Sequence, residues 1–254
     1  MEFTTAHTVE ELKKNVDEVK RRIAAAAARA GRDPKEIRLL PVSKTVSEDR
    51  IRGAIAAGCT RLGENKVQEA KRKHAALIDT GVEWSIIGHL QRNKAKDVAA
   101  FAREFHALDS LRVAEALDRR LQSAGRSLEV YVQVNTSGEE SKYGIEPDEL
   151  PGLLTALRPF DALNVRGLMT LAIFTTDEEA VRRCFQLLRR LRDDARDRDP
   201  DLIGLGELSM GMSGDFEIAI EEGADVVRVG QSIFGARPTP DSDYWPTPQA
   251  SGHS

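Results

Sequence analysis

Lys44 is the residue from which chemistry is most readily built. It follows the run Ile37-Arg-Leu-Leu-Pro-Val and Ser43, so its stem leaves the end of an apolar strand. Burial disfavours an ammonium ion, so the pKa of such a lysine falls and its neutral amine becomes a nucleophile toward carbonyl groups. The plainer alternative is a surface lysine whose stem lies along the strand end while its charge stays in water. A second candidate is the turn Ser209-Met-Gly-Met-Ser213-Gly214-Asp215. Its small residues lead into a helix start near Ser213 to Asp215, where backbone N–H groups bind phosphate and glycine permits close approach. An ordinary tight turn with an Asp cap would have the same sequence. Gly230 and Ser232 supply the neighbouring loop.

His89, after Trp84-Ser-Ile-Ile-Gly, offers an acid or base, a stacking ring, or a purely structural bond. His74 falls on a helix and His106 in a strand, and no spacing of His, Asp and Glu suggests a metal site. The run Lys71-Arg-Lys-His reads as a solvated helix face. Cys59 and Cys184 are too few and too far apart for a disulfide framework or a zinc spacing, and read as inert buried thiols.

The elements that must position these groups alternate. Val9, Leu12, Val16, Val19 and Ile23 share one helical face, Thr8 with Glu11 has the capping-box pattern, an alanine run extends the helix and Gly31 ends it. Short apolar runs follow near 37–43, 59–63, 84–88, 103–108, 128–134, 164–170, 205–210 and 225–229. Helical stretches lie between them at 48–57, 66–79, 93–101, 111–124, 148–157, 177–195 and 215–222, with Ser47 and the pair Thr176 and Glu179 as start signals. Gly58, Gly81, Gly125 and Gly223 stand where helices should stop. About eight strand–helix repeats in 254 residues predict one closed (β/α)8 barrel with an extra N-terminal helix. No G-x-G-x-x-G follows the first strand, which disfavours an open dinucleotide-binding sheet. In a barrel the functional residues stand at the C-terminal ends of the strands, which is where Lys44, Asn65, His89, Met169, Met210 and Arg228 fall.

A net charge of −4 argues against nucleic-acid binding through bulk charge. No run approaches the ~18 apolar residues of a membrane span and no signal core opens the chain, so the expectation is a cytoplasmic protein. Residues 1–237 are expected to form the barrel, and the Pro-rich segment 238–254 a mobile tail.

These residues together resemble the YggS/PROSC family of pyridoxal 5′-phosphate (PLP) homeostasis proteins, related to the N-terminal barrel of alanine racemase. The resemblance spans about residues 8–237. It rests on seven motifs in order: Leu40-Pro-Val-Ser-Lys44-Thr, Gly63-Glu-Asn-Lys-Val-Gln-Glu69, Trp84-Ser-Ile-Ile-Gly-His-Leu-Gln-Arg-Asn-Lys94, Val134-Asn-Thr-Ser-Gly-Glu-Glu-Ser-Lys-Tyr-Gly144, Gly167-Leu-Met-Thr170, Leu208-Ser-Met-Gly-Met-Ser-Gly-Asp215, and Val227-Arg-Val-Gly230 with Ile233-Phe-Gly235.

The resemblance implies that Lys44 carries PLP as a Schiff base and that Ser213, Gly214, Gly230, Gln231 and Ser232 hold the phosphate. The family more often has Thr or Ser where Gln231 stands, which leaves the backbone N–H as its contribution. Asn65 is implied beside the ring or its hydroxyl, and Arg228 near the pyridine nitrogen or the phosphate. Met169, Met210, His89 and Lys142 complete the implied cofactor-binding set, with no catalytic and no metal-binding residue. The implied role is a PLP carrier or regulator with little amino-acid chemistry, because the second racemase base comes from a C-terminal domain that the chain is expected to lack. Recipients would be apo PLP-dependent enzymes, and the chain a monomer or weak homodimer. The alternatives are a true PLP enzyme, such as a racemase with His89 or Lys142 as second group, and a colourless Schiff-base aldolase.

Overall fold

The computed structural model describes residues 4–139 and 143–236. Lys142 and the expected tail, 238–254, lie outside the described residues.

Eight strands form one sheet: β1 Arg38–Pro41, β2 Arg61–Glu64, β3 Glu83–Ile86, β4 Glu104–Leu108, β5 Leu128–Gln133, β6 Leu163–Met169, β7 Glu207–Ser209 and β8 Val226–Val229. All pairings are parallel, in the order β1-β8-β7-β6-β5-β4-β3-β2. The outer members of that order meet just beyond β1, where Val42 bridges Gly63 and Ser43 N donates to Gly63 O at 3.0 Å. That contact brings the sheet round into a barrel.

Helices α2 Glu48–Ala56, α3 Val67–Ala76, α4 Ala95–Phe101, α5 Leu111–Ser123, α6 Leu150–Leu157, α7 Glu178–Arg198, α8 Phe216–Glu221 and α9 Gln231–Phe234 each follow the strand of the preceding number. The short α9 and single 3-10 turns at Pro34–Glu36 and Pro200–Leu202 carried no periodic signal. Gly58 and Gly125 follow helix caps at positive φ, +96° and +61°, a conformation glycine adopts without steric cost. The start of α7 differs from expectation. Asp177, not Thr176, caps it, accepting from Glu179 N and Ala180 N at 3.0 and 3.2 Å. A carboxylate one residue nearer the helix reaches both orphan N–H groups.

The preceding helix, α1 Val9–Arg29, has the capping box at Thr8 and Glu11. Its apolar face, Leu12, Val16, Val19 and Ile23, is buried. It straps the last repeat to the first: Asn15 donates to Ile233 O at 2.9 Å, and Arg22 pairs with Glu217 at 2.9 Å and lies over the Phe216 ring.

Barrels of this type usually fill with branched apolar side chains. Here part of the interior is polar. Glu104, buried on β4, pairs with Arg38 and Arg61 at 2.8 and 2.6 Å and accepts from Ser85 Oγ at 2.6 Å. Two residues on, His106 touches Glu104 through Nε2 at 3.1 Å and Ser209 Oγ through Nδ1 at 2.9 Å.

Candidate functional site

Beyond β1 the chain turns at Lys44 and Thr45, and Lys44 is half-buried there. Thr45 has φ +65°, a strained value for a β-branched residue. Two contacts from α3 hold this turn. Lys73 Nζ donates to Ser43 O at 2.7 Å, and Thr45 N donates to Glu69 Oε1 at 2.9 Å. The expected solvated face therefore needs correcting at Lys73. Lys71 and Arg72 are exposed, but Lys73 is fully buried and also bonds Glu64 and Glu69 at 2.5 and 2.7 Å. Carboxylates from β2 and from its own helix make that burial tolerable, and helix periodicity alone could not reveal the first of them.

The Gly/Ser turn after β7 meets the loop after β8. Ser213 Oγ accepts from Gly230 N and Ser232 N at 3.2 and 3.5 Å, so two N–H groups converge on one oxygen, as they would on an anion. Ser232 Oγ is buried and has no hydrogen-bond partner. Asp215 is the N-cap residue of α8, and Gly214 before it is exposed. Gly230 passes close to β1: a Cβ there would lie 3.1 Å from Val42 O. That approach sets the cup beside Val42, two residues before Lys44. Gln231 opens α9 and is half-buried.

Arg228 is buried in β8, where its guanidinium donates to Ser209 Oγ and Thr170 O, each at 2.8 Å. Burial pulls its pKa down to about 10, against the pull of Asp215, which leaves it a cation at neutral pH. Met169 ends β6 and Met210 follows β7, both fully buried. Asn65 is half-buried after β2, and Gly88 lets its backbone pass, since a Cβ at 88 would lie 2.3 Å from Asn65 O. His89 stacks on Tyr143 with ring centroids 4.1 Å apart, and its Nδ1 lies 3.4 Å from Asp109.

Sequence reasoning missed the network that Glu104, His106, Glu64, Glu69 and Lys73 build around these groups, and placed Ser209 in its turn without the bond to Arg228. One signal was present: Glu104 and His106 are two apart in a strand, so they share a face that an apolar barrel would not tolerate unpaired. Among the described residues no group of three His, Cys, Asp or Glu side chains could hold a metal ion, and no helix is long and apolar enough to cross a membrane.

The chain is similar to known proteins over nearly its whole length. Residues 10–238 match the family model described as alanine racemase, N-terminal domain. A pyridoxal phosphate homeostasis protein of Pseudomonas aeruginosa is 42% identical over 223 residues, 88% of this chain and 94% of that protein. The structure of PipY from Synechococcus elongatus with PLP bound superposes with a TM-score of 0.75 at 35% identity, covering 84% of this chain and all of that one. Alanine racemase from Corynebacterium glutamicum shares the fold alone, with a TM-score of 0.67 at 17% identity over 94% of this chain and 65% of that one.

Proposed function

The chain belongs to the pyridoxal phosphate homeostasis protein family, and from that premise we propose that it binds PLP, bonded through its aldehyde to Lys44, as a carrier or regulator rather than an amino-acid enzyme. One observation carries this reading. An anion cup with a buried, unpartnered hydroxyl, Ser232 Oγ, sits beside the strand end that bears a half-buried lysine. The residues fit the group. Ser213, Gly214, Gly230, Gln231 and Ser232 supply N–H groups and hydroxyls for a phosphate dianion, and Lys44 supplies the amine. Asn65, Met169, Met210, His89 and Lys142 are proposed as the remaining contacts.

When bound, PLP supplies an aldehyde that condenses with an amine and a ring that withdraws electrons from it. Arg228 bears on how far that chemistry goes. Ser209 and Thr170 pin it, and it stays charged at neutral pH. Beside the ring nitrogen such a cation opposes protonation and weakens the electron sink. His89, stacked on Tyr143, is engaged by the chain's own side chains. Both features favour holding the cofactor over transforming amino acids, with apo PLP-dependent enzymes as recipients. Two unpaired, buried thiols suit a reducing cytoplasm.

Borohydride reduction of the PLP-loaded protein, followed by peptide mass mapping, tests the assignment. A pyridoxyl group on Lys44 is expected, and a label confined to another lysine overturns it. The loaded protein should racemise or decarboxylate a panel of amino acids no faster than free PLP does. Rapid turnover would return the chain to the enzyme reading.

A further inference from the structure

We propose that Lys73 and Glu69 are positioning residues for Lys44: with Glu64 they form an ionic clamp that holds the turn at 43–45 and so sets where the Lys44 amine meets its carbonyl partner. The inference rests on the reading of Lys44 as the PLP-bonding residue.

A fully buried ammonium persists only where its N–H groups find matched acceptors. Lys73 has three such groups and three acceptors: Ser43 O, Glu64 Oε1 and Glu69 Oε1, at 2.7, 2.5 and 2.7 Å. The first of these belongs to the peptide that enters Lys44. Glu69 Oε1 also accepts from Thr45 N, the peptide that leaves Lys44, at 2.9 Å. Lys44 is thus bracketed by two hydrogen bonds that the Lys73–Glu69 pair joins to each other. Glu64 ties the same ammonium to Ser43 a second time, accepting from Ser43 Oγ at 2.8 Å.

The bracketed turn is the one place among the described residues where a non-glycine residue has positive φ. Thr45 is exposed, so its side chain buries little in return for that strain. Fold stability alone does not call for the cluster either, since a buried ion pair can often be replaced by apolar residues without loss. What charged groups add here is direction. They reach two specific backbone atoms on either side of one lysine, and strained backbone held by its surroundings is a common feature of binding sites.

Three variants test the clamp: Glu69→Ala, Lys73→Met, and Glu69→Ala combined with Thr45→Asn. Glu69→Ala takes one of three acceptors from a buried ammonium, so its melting temperature should fall, and exchange and release are read well below that temperature. In the cofactor-free Glu69→Ala protein, amide hydrogen exchange at Thr45 should rise. In the PLP-loaded protein, release of PLP followed by visible absorbance should quicken about tenfold, the scale of one lost charge-assisted hydrogen bond. Thr45→Asn should recover most of that retention, because Asn takes the left-handed bend more readily than a β-branched residue. A purely structural salt bridge would give no such recovery. Unchanged exchange and release in Glu69→Ala overturns the clamp, as does a loss in Lys73→Met that only tracks its melting temperature while Thr45→Asn restores nothing. A wild-type borohydride label away from Lys44 overturns the proposed function and the clamp together. A label on Lys44 with Glu69→Ala unaltered overturns the clamp alone.

Discussion

Arg228 donates to the hydroxyl of Ser209 across 2.8 Å, and both side chains are buried inside the barrel. An arginine can only donate, so the serine oxygen accepts from it and its own hydrogen is left for His106 Nδ1, 2.9 Å away. His106 then keeps its hydrogen on Nε2 and donates a hydrogen bond from it to Glu104 Oε2 at 3.1 Å. Burial alone would raise the Glu104 carboxyl, but the bonds it accepts from His106 and Ser85 and the charge of Arg38 hold it well below the usual carboxylate range. The result is a polarised chain from Glu104 to the guanidinium under the cup.

That chain needs a neutral His106, and burial lowers its pKa from the ordinary 6.5. The unfolded chain therefore takes up this proton first on acidification. The contribution is fully present above about pH 6.5 and is lost as pH falls toward the folded pKa. Melting temperatures at pH 8, 7, 6 and 5 should drop more steeply for wild type than for His106→Gln. Parallel profiles would mean that folding leaves the imidazole's pKa unchanged, and a shallower drop in wild type that the imidazole is charged in the fold.

The phosphate cup should tolerate loss of a hydroxyl better than added bulk. A charge-assisted hydrogen bond contributes roughly 1.5–3 kcal/mol, so Ser213→Ala should weaken PLP by about one to two orders of magnitude. Gly230→Asp should do more. Its Cβ meets Val42 O at 3.1 Å, and its carboxylate would face a dianion. Pyridoxal, which has no phosphate, should bind wild type far more weakly and respond less to both changes. Equal affinity for pyridoxal and PLP, read from titration of the visible band, would place the cup elsewhere.

The strap formed by α1 should govern stability without touching the cofactor. Gly53 of α2 lies under it, and a Cβ there would come within 2.8 Å of Leu12 Cδ1. Overpacking of this kind costs about 1–3 kcal/mol. Gly53→Val should lower the urea midpoint by a corresponding amount and leave the visible spectrum of the loaded protein unchanged. A shifted spectrum would show that α1 and the Lys44 turn are coupled.

The alternation of eight strands and their helices was legible because each element's periodicity is local. Thr8 with Glu11, Gly58 and Gly125 could be read as punctuation for the same reason. The strand-end positions of Lys44 and Arg228, and the small residues at 211–214, followed from the order of elements. The cap at Asp177 was misplaced by one residue because Thr176 and Asp177 are both competent caps, and only the turn geometry chooses between them.

The sequence by itself determined the barrel, the family, and the order in which Lys44, Asn65, His89 and the 211–214 turn follow their strands. Tertiary structure alone decided which polar groups meet there. Lys73 looks like its exposed neighbours until α3 is laid on the barrel, where Glu64 from β2 and the carbonyl of Ser43 converge on its ammonium. Gly230 and Ser209 could be read as parts of two candidate turns, but the sequence could not show that Val42 O approaches the first or that Arg228 and His106 reach the second from β8 and β4. Periodicity reports which face of an element is buried. What that face meets depends on register between strands far apart in sequence, and a hydrogen bond resolves that register at the scale of a single atom.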